Sequence, residues 1–353
     1  MRTLSIVTPT YNSMRTLELY MDAIIMQDYP HEAIEIVFAD GGSTDGTLEK
    51  IDSYKNGFRD CDITVSLHKN PLRTAEAGKA VGVRKAVGDV VCLLDSDNII
   101  PDAHWISRMM EPFGEEKIIA SEPISYTWRR EDGTINRYCA LIGMNDPLCM
   151  FTGNYDRMCL VTNKWTEVER EEEDRGAYLS IQFDAKMIPT IGANGFFMKR
   201  RELCENFDGD YLFDIDVLWE LMQKDSTIRV AKVKTGIVHL FCPDTRTFCR
   251  KQNRRIMDFL YFSGAKGRKY PWSRVGKGKI VMFALCCVTV VPLLVQAAIG
   301  FSRKHDARAW LFHFPACWIT LWIYGWGTVK SIFVKAKIAD LSLVDHRIHL
   351  ERI

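Results

Sequence analysis

The sequence predicts an α/β protein: a Rossmann-like, mostly parallel sheet followed by two C-terminal hydrophobic membrane helices. Three observations carry this. Short apolar runs alternate with segments of helical periodicity near the N-terminus. Those runs end in polar or acidic turns. Two long uncharged stretches lie near the C-terminus.

The elements follow in order. "LSIVT", residues 4–8, reads as a strand that leads into Pro9 and the turn "TYNS". Leu17, Tyr20, Met21, Ile24 and Ile25 recur at helical spacing within 14–27. "EIVFA", 35–39, is a second strand ending at "DGGSTDGT", and a helix starts at Thr47 with Thr44 or Asp45 as N-cap. "ITVSLH" is a third strand, "AEAGKAVGVRKAV" a helix of small residues and "DVVCLLD" a fourth strand. Strands alternating with helices build a parallel doubly wound sheet, whose ligands bind beyond the carboxyl ends of the strands. "TPTYN", "DGGSTD" and "DSD" are therefore expected to converge. The dense acidic run "EVEREEEDRG" reads as a solvated loop or helix face.

The chain of 353 residues holds 46 Lys plus Arg against 45 Asp plus Glu, so no nucleic-acid partner is expected. Its 11 cysteines are scattered without a C-x-x-C pair, as suits reduced thiols rather than a zinc site or a disulfide framework.

The chemistry begins at "VVCLLDSDNIIP", where two carboxylates one residue apart follow an apolar strand. Burying bare carboxylates is costly unless a cation or donors meet them. Asp95 and Asp97 can hold a divalent ion, and the ion can hold a diphosphate. Asp40 ends the second strand before two glycines that allow close backbone approach, and it can accept a hydrogen bond from a base N–H. Lys79 and Arg84 lie on the next helix, where cations can meet phosphate or simply face solvent.

"SIVTPTYNSMRTLELYMDAIIMQDYP", "EIVFADGGSTDGT" and "AGKAVGVRKAVGDVVCLLDSDN" together closely resemble the family 2 glycosyltransferases of the GT-A fold. The resemblance covers about residues 3–115 strongly and extends more weakly to about 260. It implies an inverting enzyme that uses a nucleotide-diphosphate sugar with Mn²⁺ or Mg²⁺. It implies that Pro9, Tyr11 and Asp40 line the nucleoside pocket. Lys79, Arg84 and Ser96 would lie on the donor side, and Asp95 and Asp97 would form the metal motif. Where the family often has two acids, this chain has Asp40 followed by Gly41.

Later segments match in fragments. "IGANGFFMKRREL" looks like the acceptor-side segment, with Gly192, Ala193 and Asn194 facing the sugar. "FDIDVLWELM" looks like the helix that carries the general base, with Asp216 as first choice and Asp214 as second. His239, at the end of the strand "GIVHLF", is a candidate third metal ligand. Gln252 and Arg255 form a Q-x-x-R pair that resembles a segment of processive membrane members. Ile256 stands where those have Trp, so polymer synthesis is not implied; the pair would touch the leaving diphosphate or lipid headgroups.

The expected function is metal-dependent sugar transfer to a hydroxyl of a membrane-associated, lipid-linked or glycan acceptor. The alternatives are a polyprenyl-phosphate sugar synthase, whose acceptor phosphate needs little base help, and a non-catalytic nucleotide-sugar-binding membrane protein. A nucleotidyltransferase is disfavoured, because "PTYNS" stands where its Gly-rich basic loop belongs. A catalytic domain is expected over 1–265. Residues 266–353 would form a basic juxtamembrane segment and a membrane hairpin with helices at about 280–301 and 310–329. Basic flanks favour a catalytic domain on the cytoplasmic face of the membrane. Three basic residues in the turn "SRKHDAR" leave open a hairpin that only dips into one leaflet.

Overall fold

The computed structural model describes residues 2–184, 186–192, 194–264, 269–271 and 276–338, with the side chains of 261–264 and 332–338 left aside. The chain forms two compact units, residues 1–127 with 168–240 and residues 128–167 with 241–353. The partition thus crosses the sequence three times rather than once near residue 265.

The first unit opens with the expected alternation: β1 (Leu4–Thr10), α1 (Met14–Ile25), β2 (Ile34–Asp40), α2 (Thr47–Asp60), β3 (Thr64–Lys69), α3 (Ala75–Lys85) and β4 (Val90–Leu94). β1, β2 and β4 are almost wholly buried, as apolar strands covered on both faces require. α2 begins at Thr47 as expected, but Gly46, at φ +94°, takes the N-cap position in place of Thr44 or Asp45, and the Asp45 carboxylate accepts from the Thr47 N–H at 3.1 Å. α3 is capped by Thr74, whose hydroxyl accepts from the Ala77 N–H at 3.0 Å. Its small residues let it lie on β1: a Cβ on Gly78 would come within 2.6 Å of the Pro9 Cβ.

A short strand β5 (Asn98–Ile99), α4 (Trp105–Met110) and β6 (Ile118–Tyr126) follow. The chain then enters the second unit for α5 (Thr134–Ile142) and α6 (Leu148–Thr152). It returns for β7 (Arg170–Asp174), β8 (Tyr178–Phe183), β9 (Asn194–Lys199), α7 (Arg200–Glu205), α8 (Asp214–Lys224) and β10 (Arg229–His239). The sheet runs β3-β2-β1-β4-β9-β6-β10-β8-β7, with β5 paired to the end of β10. β1 to β4 are mutually parallel, as is β6 with β10; β9, β8, β7 and β5 pair antiparallel to their neighbours. The sheet is therefore mixed, and the parallel expectation holds for its N-terminal half. The acidic run, 167–176, is solvated as expected but is not all loop: residues 170–174 form β7, the edge strand, where like charges discourage pairing with another chain.

The second unit is helical, with α9 (Thr245–Gly264), α10 (Lys277–Thr289), α11 (Val291–Arg303), α12 (Ala307–Leu311) and α13 (His313–Ile338). One core cluster gathers Tyr138, Tyr155, Phe248 and Trp310; another gathers Phe283, Cys287, Leu293 and Cys317. The stretch 280–301 is not one spanning helix. α10 and α11 meet at 90° across Val290, which sits at φ +63°. Pro292 in the first turn of α11 lacks the N–H and crowds the preceding turn, so the helix cannot run through. The stretch 310–329 is shared between α12 and α13. Among the described residues no single helix is long and apolar enough to cross a membrane.

Candidate functional site

The site grows from the carboxyl ends of β1, β2 and β4. Asn12, at φ +52°, ends the turn after β1 and accepts from the Thr44 N–H at 2.9 Å, while its own N–H donates to the Ser43 hydroxyl at 2.9 Å. The first two loops are thus interlocked. Ser96 joins the third: its hydroxyl donates to that of Ser13 at 2.9 Å. The expected convergence of the three polar strand ends is what the chain builds.

Within this frame Asp40 anchors its own loop. Its carboxylate accepts from the Gly42 and Ser43 N–H groups at 2.8 and 2.9 Å and from the Thr10 and Ser43 hydroxyls at 2.9 and 2.6 Å. Pro9 is buried beneath α3, whereas Tyr11 is 45% exposed with its ring beside Gly41.

Asp95 follows directly on β4. Its Oδ1 is buried with no hydrogen-bond partner among the described residues. Burial raises its pKa to about 7; the Lys79 cation opposes the rise, and Asp97, Asp214 and Glu76 add to it. Asp97 sits two residues on, at a turn stitched to β10: the Leu240 N–H donates to the Asp97 carbonyl at 2.8 Å, and Asn98 pairs with His239. That register brings His239 Nε2 within 3.6 Å of the Asp97 carboxylate. Arg15 of α1 holds the same strand end by donating to the Leu240 carbonyl at 2.9 Å.

Lys79 turns inward from α3. It is only 4% exposed, and its Nζ lies 3.3 Å from Asp214 Oδ2. Burial works against its charge, but Asp214, Asp95 and Glu76 more than offset this and hold it firmly protonated. Arg84, one turn further on, points elsewhere. It donates to the Gly209 carbonyl and stacks over the Phe207 ring.

Asp214 and Asp216 both occupy the first turn of α8. The Leu212 N–H donates to the Glu76 carbonyl at 3.0 Å, which fixes the start of α8 against the start of α3. Gly192, at φ +123°, lies directly on Asp214: a Cβ there would meet Asp214 Oδ2 at 2.6 Å. Asn194, at the start of β9 beside Leu94, donates to the Tyr126 hydroxyl at 2.7 Å. Ala193 lies outside the described residues. Lys79, Asp95, Asp97, Gly192, Asp214 and His239 are therefore brought to one end of the sheet.

Gln252 and Arg255 belong to the second unit. Both donate to the Asn145 carbonyl, at 2.7 and 3.2 Å, and the Gln252 carboxamide oxygen accepts from Tyr324 at 3.0 Å. In this arrangement they tie α9 to α13 and to the turn after α5.

Two features escaped the sequence reading. Lys232 of β10 and Glu122 of β6 form an ion pair of 2.5 Å, both side chains fully buried inside the sheet. The other Glu122 oxygen lies 3.5 Å from the Gly192 N–H, so the pair buttresses the loop that contacts Asp214. The alternation of β6, "IIASEPISY", places Glu122 inward and was the available signal. The Lys79–Asp214 contact, across 135 positions, had none.

Among the described residues no three His, Cys, Asp or Glu side chains form a ready-made metal cage. The donors present suit another mode. The Asp95 oxygen without a hydrogen bond and the Asp97 carboxylate could offer hard oxygen to a divalent ion, as Mg²⁺ and Mn²⁺ sites require. His239 stands behind Asp97.

A parallel half-sheet that gathers a glycine-rich turn, an acidic turn and a buried lysine at its strand ends is a ligand-binding α/β domain. Residues 5–143 match the family model Glycosyl transferase family 2. Over 100 residues it is 31% identical to the poly(ribitol-phosphate) beta-N-acetylglucosaminyltransferase TarS of Staphylococcus aureus, covering 27% of this chain and 16% of the relative. It is 32% identical over 135 residues to the glycosyltransferase GlyG of Streptococcus pneumoniae, covering 38% of this chain and 43% of the relative. The matched stretch is thus less than half of either relative. A mannosyltransferase of Pyrobaculum calidifontis, solved with GDP-Man and Mn²⁺, shares the fold with a TM-score of 0.52 at 15% identity, covering 92% of this chain and 87% of that one.

Proposed function

We propose that the protein transfers a sugar from a nucleotide-diphosphate sugar to a hydroxyl of a glycan or lipid-linked acceptor, with inversion at the anomeric carbon. The observation that carries this reading is the placement of an acidic strand-end turn, Asp95 and Asp97, beside a second carboxylate on α8 and a buried lysine. Transfer forms a bond from the acceptor oxygen to the anomeric carbon and breaks the bond from that carbon to the phosphate oxygen. The electron pair leaves on the nucleoside diphosphate, and the acceptor proton must find a base.

Asp95 and Asp97 would hold a divalent ion with the donor's diphosphate. When bound, such an ion supplies charge neutralisation to the leaving group. Lys79 pairs with Asp214 and fixes its orientation. Asp214 rests against Gly192, on the acceptor-side loop, and is within Coulombic reach of Asp95. We therefore place Asp214 ahead of Asp216 as the proton acceptor, reversing the order read from the sequence. Tyr11, exposed beside Gly41, offers a ring face to a nucleobase, and Asp40 holds the loop beneath it.

The test is nucleotide release from a panel of nucleotide sugars, using full-length protein with a crude lipid extract as acceptor source. It is run with Mn²⁺ and with chelator, beside the Asp97→Ala variant. Metal-dependent release of one nucleotide, lost in the variant, supports the reading. Release unaffected by Asp97→Ala sinks the ion assignment, and silence with every donor sinks the transferase reading.

A further inference from the structure

We propose that α10 and α11 form a wedge that enters one leaflet of an anionic membrane and returns to the side it came from, without crossing. This inference concerns the second unit alone and goes beyond the transfer reading, on which it does not depend.

Three observations carry it. The first is composition. From Ile280 to Ser302 there is no charged residue, and the outward faces of both helices are apolar. Val281, Leu285 and Val288 of α10 and Val291, Leu294 and Val295 of α11 are all more than half exposed. Apart from Thr289, exposed beside the bend, this face is apolar, which suits acyl chains better than a second protein, whose contact surfaces mix polar and apolar groups.

The second is geometry. Each arm has 13 residues, about 20 Å of helix, and the arms meet at 90°. A symmetric wedge of that shape reaches about 14 Å deep, roughly half of a 30 Å hydrocarbon core. A straight helix over the same residues would reach across.

The third is the footing. Lys279, at the start of α10, donates to the Thr152 carbonyl at 2.7 Å. Arg303, at the end of α11, donates to the Val161 carbonyl at 3.1 Å. Asp306, just beyond, is paired with Arg137 at 2.7 Å. Both feet of the wedge thus stand on the same segment, 128–167, through polar contacts and cannot lie on opposite faces of a bilayer. The cations are at the feet, with Lys277 and Arg303 exposed, and the apex at Val290 is farthest from them. That order matches anionic headgroups above and acyl chains below.

The experiment adds full-length protein, freed of detergent, to preformed vesicles of phosphatidylcholine with one quarter phosphatidylglycerol and to vesicles of phosphatidylcholine alone. Flotation reads binding. A bulky, impermeant maleimide added outside reads sidedness through a cysteine placed by His305→Cys, counted as one adduct beyond the parent protein. We expect flotation with the anionic vesicles, at least several-fold less with the neutral ones, and full labelling of position 305 from outside. The double change Val291→Asp with Leu294→Asp, on an exposed face, should leave circular dichroism unchanged and reduce flotation at least tenfold. Protection of position 305 in bound protein would mean a crossing helix and overturn the wedge. Failure to float overturns the membrane assignment, as would a stable dimer lost in the Val291→Asp, Leu294→Asp variant. Equal flotation on neutral vesicles overturns the anionic preference.

Discussion

Replacing Lys79 by methionine removes the cation that lies against Asp214 and is felt by Asp95, while keeping roughly the length of the side chain. Lys79 is 4% exposed and the Asp214 side chain 12%, so solvent can do little for the carboxylates left behind. Breaking a buried pair from one side costs about 3–5 kcal/mol. The slight exposure of Asp214 points to the lower end, about 3 kcal/mol. The companion change Asp214→Asn neutralises the orphan, so the double variant should recover most of the loss. The cost in Lys79→Met should also shrink as pH falls from 7 to 4, because Asp95, whose pKa is already raised to about 7, can then take up a proton. The two units need not unfold together, so the assay is hydrogen exchange of peptides from α3 and β4, followed by mass spectrometry. A loss under about 1 kcal/mol in Lys79→Met, or a double variant no better than that single one, would refute the claim that the lysine offsets buried negative charge.

Asp95 gives a pH prediction of definite sign. Its folded pKa of about 7 stands above the ordinary 3.8, so the folded protein keeps a proton that the unfolded chain releases between those values. The Asp95 contribution to stability should be fully present below about pH 4 and fall by on the order of 4 kcal/mol as pH rises through 7. Melting curves of Asp95→Asn should lack this decline, and parallel curves for variant and parent would contradict it. Gly192→Ala places a methyl 2.6 Å from Asp214 Oδ2 at a φ of +123°, so turnover should fall about 100-fold or more, with folding judged separately by circular dichroism. Lys232→Met should destabilise by about 3–5 kcal/mol, and adding Glu122→Leu should restore most of it, as read from denaturant midpoints.

Much of the first unit was legible because its signals are local. β1, β2 and β4 are apolar runs closed by turn residues, and the small residues of α3 announce close packing on a strand. The acidic turns declared themselves by sitting where a buried strand ends. What was not legible depends on distant pairing. β9 inserts between β4 and β6 against the parallel direction, and nothing in "NGFFMK" states a direction. Arg84 and Lys79 share one helix, yet only the packing of α3 decides which faces the carboxylates. The run 280–301 looked continuous because hydropathy does not register a single backbone angle. Val290 and Pro292 together turn one length into two.

The course of the chain bears on how the molecule is made. β4 is complete at residue 94, but its neighbour β9 begins at residue 194, and β10, which carries His239, ends at 239. In between, 40 residues are spent in the other unit. At ribosomal speeds of about 5–20 residues per second, β4 waits roughly 5–20 s for its partner. During that time a hydrophobic edge stands open in a nascent chain. A fragment cut at residue 143, where the family match stops, would carry that open edge permanently and lack α8 and β10. Protein engineers seeking the first unit alone should therefore excise 128–167 as an internal loop and end the chain after residue 240, not at 143. Cells, in turn, would be expected to shield the half-built sheet with a chaperone until the last strand arrives.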